Sequence, residues 1–243
     1  MIAILLVLAL LGGWELYADL GTIDDFILPA PSQIATALWD DRSLLWSNLL
    51  VTAQEVGLGI LAALALGFLL AVALHFSGVL RRGVYPLLVA SQAVPIFVLA
   101  PIFVLAFDYG IGPKLALVAL ISFFPIAVGL LDGLRSVEAD LIKLMKSLGA
   151  SRAFRLTRVE LPAALPGFFS GLRIGASVAV IGAVFGELAG ADEGLGRLIF
   201  LGNNQLETPR VYAGVVILTV MAVGLFALVS LAERAAIPWR TKT

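Results

Sequence analysis

Long apolar blocks alternate with short polar connectors along this chain. Six blocks are long enough to cross a bilayer as helices: 2–18, 48–75, 84–107, 114–133, 164–188 and 209–232. A hydrocarbon core of about 30 Å needs roughly 20 helical residues. Inside lipid each backbone N–H and C=O must be paired within the structure, which selects helices. The blocks are continuously apolar rather than alternating, which argues against a transmembrane β-barrel. The first stretch, MIAILLVLALLGGWELYADL, lacks the basic n-region and the small-x-small site of a cleavable signal peptide, so it is read as a retained transmembrane helix. Its abrupt apolar start carries the expectation that a short basic leader is missing from this version of the chain.

Composition sharpens this reading. Of 243 residues 60% are hydrophobic and 14% charged, where a soluble domain is about a quarter charged. Too few polar side chains remain to cover a globule, so lipid is the solvent for much of the surface. A formal net charge of −1 does not supply the basic face that a nucleic-acid partner requires. The absence of Cys removes disulfides and thiolate metal sites.

Lys and Arg orient the stack. With the N-terminus inside, eleven fall on cytoplasmic pieces: Arg81, Arg82, Arg135, Lys143, Lys146, Arg152, Arg155, Arg158, Arg234, Arg240 and Lys242. Four fall outside (Arg42, Lys114, Arg197 and Arg210), and Arg173 lies within a helix. This satisfies the positive-inside tendency and predicts an all-α membrane protein of six transmembrane helices with both termini cytoplasmic. Asp24, Asp25, Asp40, Asp41, Asp192, Glu193 and Glu207 then all lie outside. The outer connector 19–47 carries Pro29 and Pro31 followed by SQIATALWDD. It predicts a turn and a short amphipathic helix along the membrane surface, serving either as a connector packed on helix ends or as a docking surface.

The cytoplasmic stretch 136–162 is polar and basic between two apolar blocks. Ser136 is a candidate N-cap, and Glu138 and Asp140 suit the positive end of a helix dipole. The helix is expected to reach Leu148. Leu141, Leu144, Met145 and Leu148 share one face, and Asp140, Lys143, Lys146 and Ser147 the other. Gly149 suits the residue after the C-cap. Ser151 can cap a second short helix, expected to stop near Pro162. The product is a helix–Gly–helix hairpin. Its apolar face packs either against the chain's own helix ends or into a groove on a partner.

Gly149, nine residues, Val159, one residue and Leu161-Pro162 resemble the signature loop of the inner-membrane subunits of bacterial ABC importers. The family's Glu-Ala-Ala is replaced by Lys143-Leu144-Met145, so an ion pair made by that Glu does not carry over. Residues 90–114, 161–199 and 27–38 resemble the nitrate/sulfonate/taurine branch. The runs GAVFGELAGA, NNQLETPRVYAG and ERAAIPW resemble members importing thiamine-pyrimidine precursors. The resemblance implies a type I ABC importer permease fold in the bacterial inner membrane, filled by a single domain over 1–243. It also implies a second permease copy, two ATP-binding subunits that use ATP and Mg2+, and an extracytoplasmic solute-binding protein. Leu141, Leu144, Met145, Leu148, Gly149, Ala150, Arg152, Leu161 and Pro162 would make the ATPase contact.

Polar groups at membrane depth suggest the pathway. Pro95 and Pro101 interrupt the third block, each removing an amide donor, and Ser91 and Gln92 lie about one turn before Pro95. Gln92 lines a pathway or makes a helix–helix hydrogen bond. Glu187 lies near the outer end of the fifth block, where a lipid-facing carboxylate is expensive. It lines the outer gate, holds a cationic solute, or serves structurally through an interhelical bond or a pair with Arg173 or Arg197. Glu55 is read as interfacial, Glu15 as an outer-end residue, His75 as a boundary residue, and Asn203 and Asn204 as loop residues. Gly167, Gly171, Gly175, Ala176, Ala179 and Gly182 permit close backbone approach, suiting a subunit interface or a moving helix.

No G-x-x-x-x-G-K-[ST] is present, so ATP binding by a P-loop in this chain is excluded. No cofactor and no metal site are expected. A proton-coupled secondary transporter is the alternative reading. It should show broken helices and midplane acids in both halves, and neither is clear here.

Overall fold

The computed structural model describes residues 2–20, 24 and 27–239. Asp25, Arg240 and Lys242 lie outside the described residues. The helices are α1 Ile2–Asp19, α2 Pro31–Asp40, α3 Arg42–Phe76, α4 Gly78–Ser91, α5 Ile96–Phe107 and α6 Ile111–Arg135. They continue as α7 Ala139–Ser147, α8 Arg152–Arg155, α9 Leu161–Leu188, α10 Leu195–Asn204 and α11 Thr208–Ala236. A π-helical turn, Leu156–Glu160, joins α8 to α9, and no strand occurs among the described residues.

The antiparallel pair α6 and α9 forms the central seam, and small residues set its spacing. A Cβ on Gly175 would stand 2.9 Å from the Ser122 carbonyl, and one on Gly133 would stand 2.7 Å from that of Ala164. Gly129 and Gly167 face each other, and Gly171 lies on the Pro125 carbonyl. Backbones this close leave no room for side chains between them, and the Ser122 hydroxyl donates to the Gly175 carbonyl at 3.0 Å. The glycines read as suiting a subunit interface are therefore spent inside the chain. α3 packs on the far side of α6 through Gly59, Ala63 and Ala71 against Val118, Ile126 and Leu130. Apolar side chains such as Leu61, Leu105 and Val220 point outward and are more than half exposed, as a lipid-facing surface requires.

Four helical runs are long and apolar enough to span a membrane: Arg42–Phe76, Ile111–Arg135, Arg152–Leu188 and Thr208–Ala236. The first block forms a shorter apolar helix, Leu5–Ala18. The third block is not one helix. α4 and α5 meet at 104°, because the last turn of α4 tightens into successive i→i−3 bonds from Gln92, Ala93 and Val94 and Pro95 offers no amide to continue it. Pro101 lies inside α5 without ending it. Among the described residues there are thus four membrane-length helices, one bent pair and one shorter apolar helix.

Two expectations for the hairpin are corrected. Ser136 does not cap α7; its hydroxyl donates to the Gly133 carbonyl at 2.7 Å and closes α6, and Glu138 takes the N-cap position. The second hairpin helix does not stop at Pro162. The wider π turn shifts the hydrogen-bond register, which places Pro162 in the first turn of α9, where its missing amide is tolerated.

Outside the bundle α2 packs as a connector. Ile34 is buried with Leu45, Leu195, Leu198 and Ala213, and Glu15 accepts from the Ser32 amide at 3.0 Å. Arg210 holds the start of α11 to Asp41 with a two-pronged contact of 2.6 and 3.2 Å.

Candidate functional site

The hairpin is built from its caps. The Gly149 amide donates to Lys146 and the Ala150 amide to Met145, both at 3.0 Å, with Gly149 at φ +81°. This is a Schellman closure, and it needs glycine at its left-handed residue. The Ser151 hydroxyl accepts from the Phe154 amide at 3.2 Å and starts α8 as expected. Leu141, Leu144 and Leu148 stand 43%, 55% and 77% exposed, while Ile142 and Met145 turn partly inward. The leucine face therefore has no cover within the described chain. Lys143 pairs with Asp140 at 2.9 Å in full exposure, a contact that adds little. Leu161 packs with Leu74, Leu130 and Leu134, and Pro162 beside it is half-buried.

Ser91, Gln92 and Pro95 meet at the α4–α5 break. They line a cavity of about 270 Å³ against Leu120 and Ile121 of α6. The Ser91 hydroxyl donates back to Leu88 at 2.7 Å. Gln92 also reaches a larger cavity, about 570 Å³, walled by Phe124, Pro125, Asp132, Ser170 and Ile174. Asp132 is the sole charged group on that wall.

Glu187 does not face a cavity. It is fully buried and accepts from the Thr52 hydroxyl at 2.6 Å and from the Gly196 amide. The Leu195 amide donates to Thr52 at 2.9 Å, and the Gly194 amide to Asn48 at 2.7 Å. Side chains from α3 and α9 thus satisfy the orphan amides at the start of α10, and a carboxylate suits that positive helix end. Gly194 has φ +119°, and a Cβ there would strike the Glu187 carboxyl. Glu187 is held by Thr52 rather than by either arginine. Arg173 instead pairs with Glu233.

Sequence reasoning missed two contacts and one cavity-wall acid. Glu55, read as interfacial, is buried and accepts from Lys114 at 2.6 Å. His75 meets Glu160 of the π turn at 2.9 Å and joins α3 to the hairpin. Asp132 was overlooked near the end of its apolar block. Its only signal was a single carboxylate in LLDGLR.

A bundle of membrane-length helices, a span broken at a polar-lined cavity and a protruding amphipathic hairpin define a polytopic transport protein. Residues 57–241 match the family described as "Binding-protein-dependent transport system inner membrane component", and the chain belongs to this family of ABC importer permeases of the inner membrane. It is 39% identical over 223 residues to a probable ABC transporter permease protein of Haemophilus influenzae, covering 92% of this chain and 91% of that one. It is 39% identical over 230 residues to the formylaminopyrimidine transport permease protein ThiX of Halalkalibacterium halodurans, covering 94% and 92%. Its fold resembles a chain from the crystal structure of an amino acid ABC transporter, with a TM-score of 0.64 and 19% identity over 82% of this chain and 97% of that one.

Proposed function

We propose that two copies of this permease form a pathway for a small organic solute handed over by an extracytoplasmic binding protein. Two ATPase subunits on the cytoplasmic side grip the α7–α8 hairpins. The observation that carries this reading is the uncovered row Leu141, Leu144 and Leu148 on a rigidly capped helix. An amphipathic helix with a bare apolar face is suited to a partner's groove. ATP is hydrolysed in the partner, and its binding biases inward- and outward-open states because the two differ in their hairpin contacts.

The wall containing Gln92, Ser170 and Asp132 belongs to the pathway. Its lone carboxylate repels a sulfonate and accepts hydrogen bonds from an amine. This favours an amine-bearing heteroaromatic solute, in keeping with the likeness to a formylaminopyrimidine permease, over a taurine-type anion. The test is uptake by vesicles holding the permease, ATPase and binding protein. Labelled formylaminopyrimidine should be taken up with ATP, and excess taurine should not compete. Asp132→Asn should slow uptake while basal ATPase persists. Uptake that follows a pH gradient without ATP would establish the proton-coupled alternative. Gly149→Pro should leave the helices folded and abolish ATP-driven uptake, and cross-linking from Leu144→Cys should reach the ATPase. A cross-link to the binding protein instead would invert the orientation.

A further inference from the structure

Between the hairpin and the ends of α3 and α6 lies a cavity of about 360 Å³ whose wall is strongly basic. Arg135 of α6, Lys146 of α7, and Arg152 and Arg155 of α8 all line it. The one acid on the wall, Glu160, is taken up by His75 at 2.9 Å. None of the four cations makes a side-chain hydrogen bond or ion pair among the described residues, and the acid on α7, Asp140, is bound to Lys143. Arg155 is only 9% exposed, yet its Nε has no hydrogen-bond partner. A guanidinium cannot shed its charge, and Nε is the one of its nitrogens that is both buried and unpartnered, which is costly. The chain has built a cationic pocket and left its deepest group open.

We propose that this cavity binds a phosphate group, supplied by an anionic phospholipid headgroup or by free phosphate. Guanidinium forks match phosphate oxygens two at a time, and two such forks stand on α8. Phe76, half exposed on the same wall, borders the apolar surface of the bundle, so a headgroup can enter while its chains stay in lipid. The bound phosphate would tie α8 to α6 and so fix the angle of the hairpin. The site is separate from the leucine face. At 100° per residue, Ile142 points roughly 125° and Lys146 roughly 165° around α7 from the centre of Leu141, Leu144 and Leu148. A partner seated on the leucines leaves the Arg135, Lys146 and Arg155 side of the cavity free, with Arg152 the one residue shared with the expected ATPase contact.

The test is a thermal titration of the full chain in detergent, followed by tryptophan fluorescence. Probes are dihexanoyl phosphatidylglycerol against dihexanoyl phosphatidylcholine, and inorganic phosphate against chloride at equal ionic strength. A saturable rise in the melting midpoint is expected with phosphatidylglycerol, with phosphate, or with both. The first outcome alone assigns a lipid, and a response to both admits the free ion. Half-saturation should weaken roughly tenfold in Arg155→Gln and in the double variant Lys146→Gln/Arg152→Gln. If Arg155→Gln fails to fold, the double variant, altered only at exposed positions, decides. The proposal is overturned if neither anion acts above its control or if the variants respond like the parent. It is equally overturned if the anions do nothing and Arg155→Gln instead loses the co-purifying ATPase, since the cavity is then a socket for a partner's acid.

Discussion

At the α10 end of the α6–α9 seam, Asn48, Thr52 and Glu187 answer the amides of the N-cap Gly194 and of Leu195 and Gly196, the first two residues of α10. At the hairpin end three leucines lie bare and four cations have no partner among the described residues. Both ends flank the same pair of helices, so the difference is not one of depth or of fold. A closed network of hydrogen bonds in a dry interior resists displacement, because moving one member strands the others. An uncovered face on a short capped helix carries no such penalty. The first end is built to hold its geometry and the second to receive something.

Four substitutions test that contrast, beginning with the largest effect. Gly171→Leu drives a side chain into the Pro125 backbone, which cannot yield. It should abolish a monodisperse species in size-exclusion chromatography, and recovery of a normal peak would show the seam to be loose. Glu187→Ala strands the Gly196 amide and leaves the Thr52 hydroxyl only the Asn48 carbonyl to donate to, and should cost about 2–4 kcal/mol by denaturant titration. Thr52→Val should cost about 1 kcal/mol. Combined with Glu187→Ala it should cost much less than the sum, since the two residues share one network. Leu148→Asp should move stability by less than about 0.5 kcal/mol, as an exposed site, while ATP-driven uptake is lost. A large drop in melting temperature there would mean the leucine face is covered by the chain's own parts.

The apolar blocks were readable because lipid imposes a length and forbids unpaired backbone, and α3, α6, α9 and α11 fall within a few residues of their expected bounds apart from the earlier start of α3. The Gly149 closure was readable because a left-handed residue after a helix narrows the choice to glycine. The α4–α5 corner was legible only as a proline, since sequence does not say which of Pro95 and Pro101 ends the ladder. The second hairpin helix was misjudged because a π turn leaves no compositional mark. Glu187 was picked out as a costly acid, but its role depended on Thr52, 135 residues away. The glycine stripe on α9 declared a close approach without naming the partner, and the partner proved to be α6.

The run from Arg152 to Leu188 is helical throughout, 37 residues without an intervening loop. At 1.5 Å per residue it is a rod about 55 Å long, with one end beside the leucine face and the other holding Glu187. Swinging such a rod by about 10° around one tip carries the opposite tip roughly 10 Å. A small rotation imposed at the hairpin end would therefore arrive as a wide excursion at the Glu187 end, with the π turn and the interior Pro166 as the places where the shaft can flex.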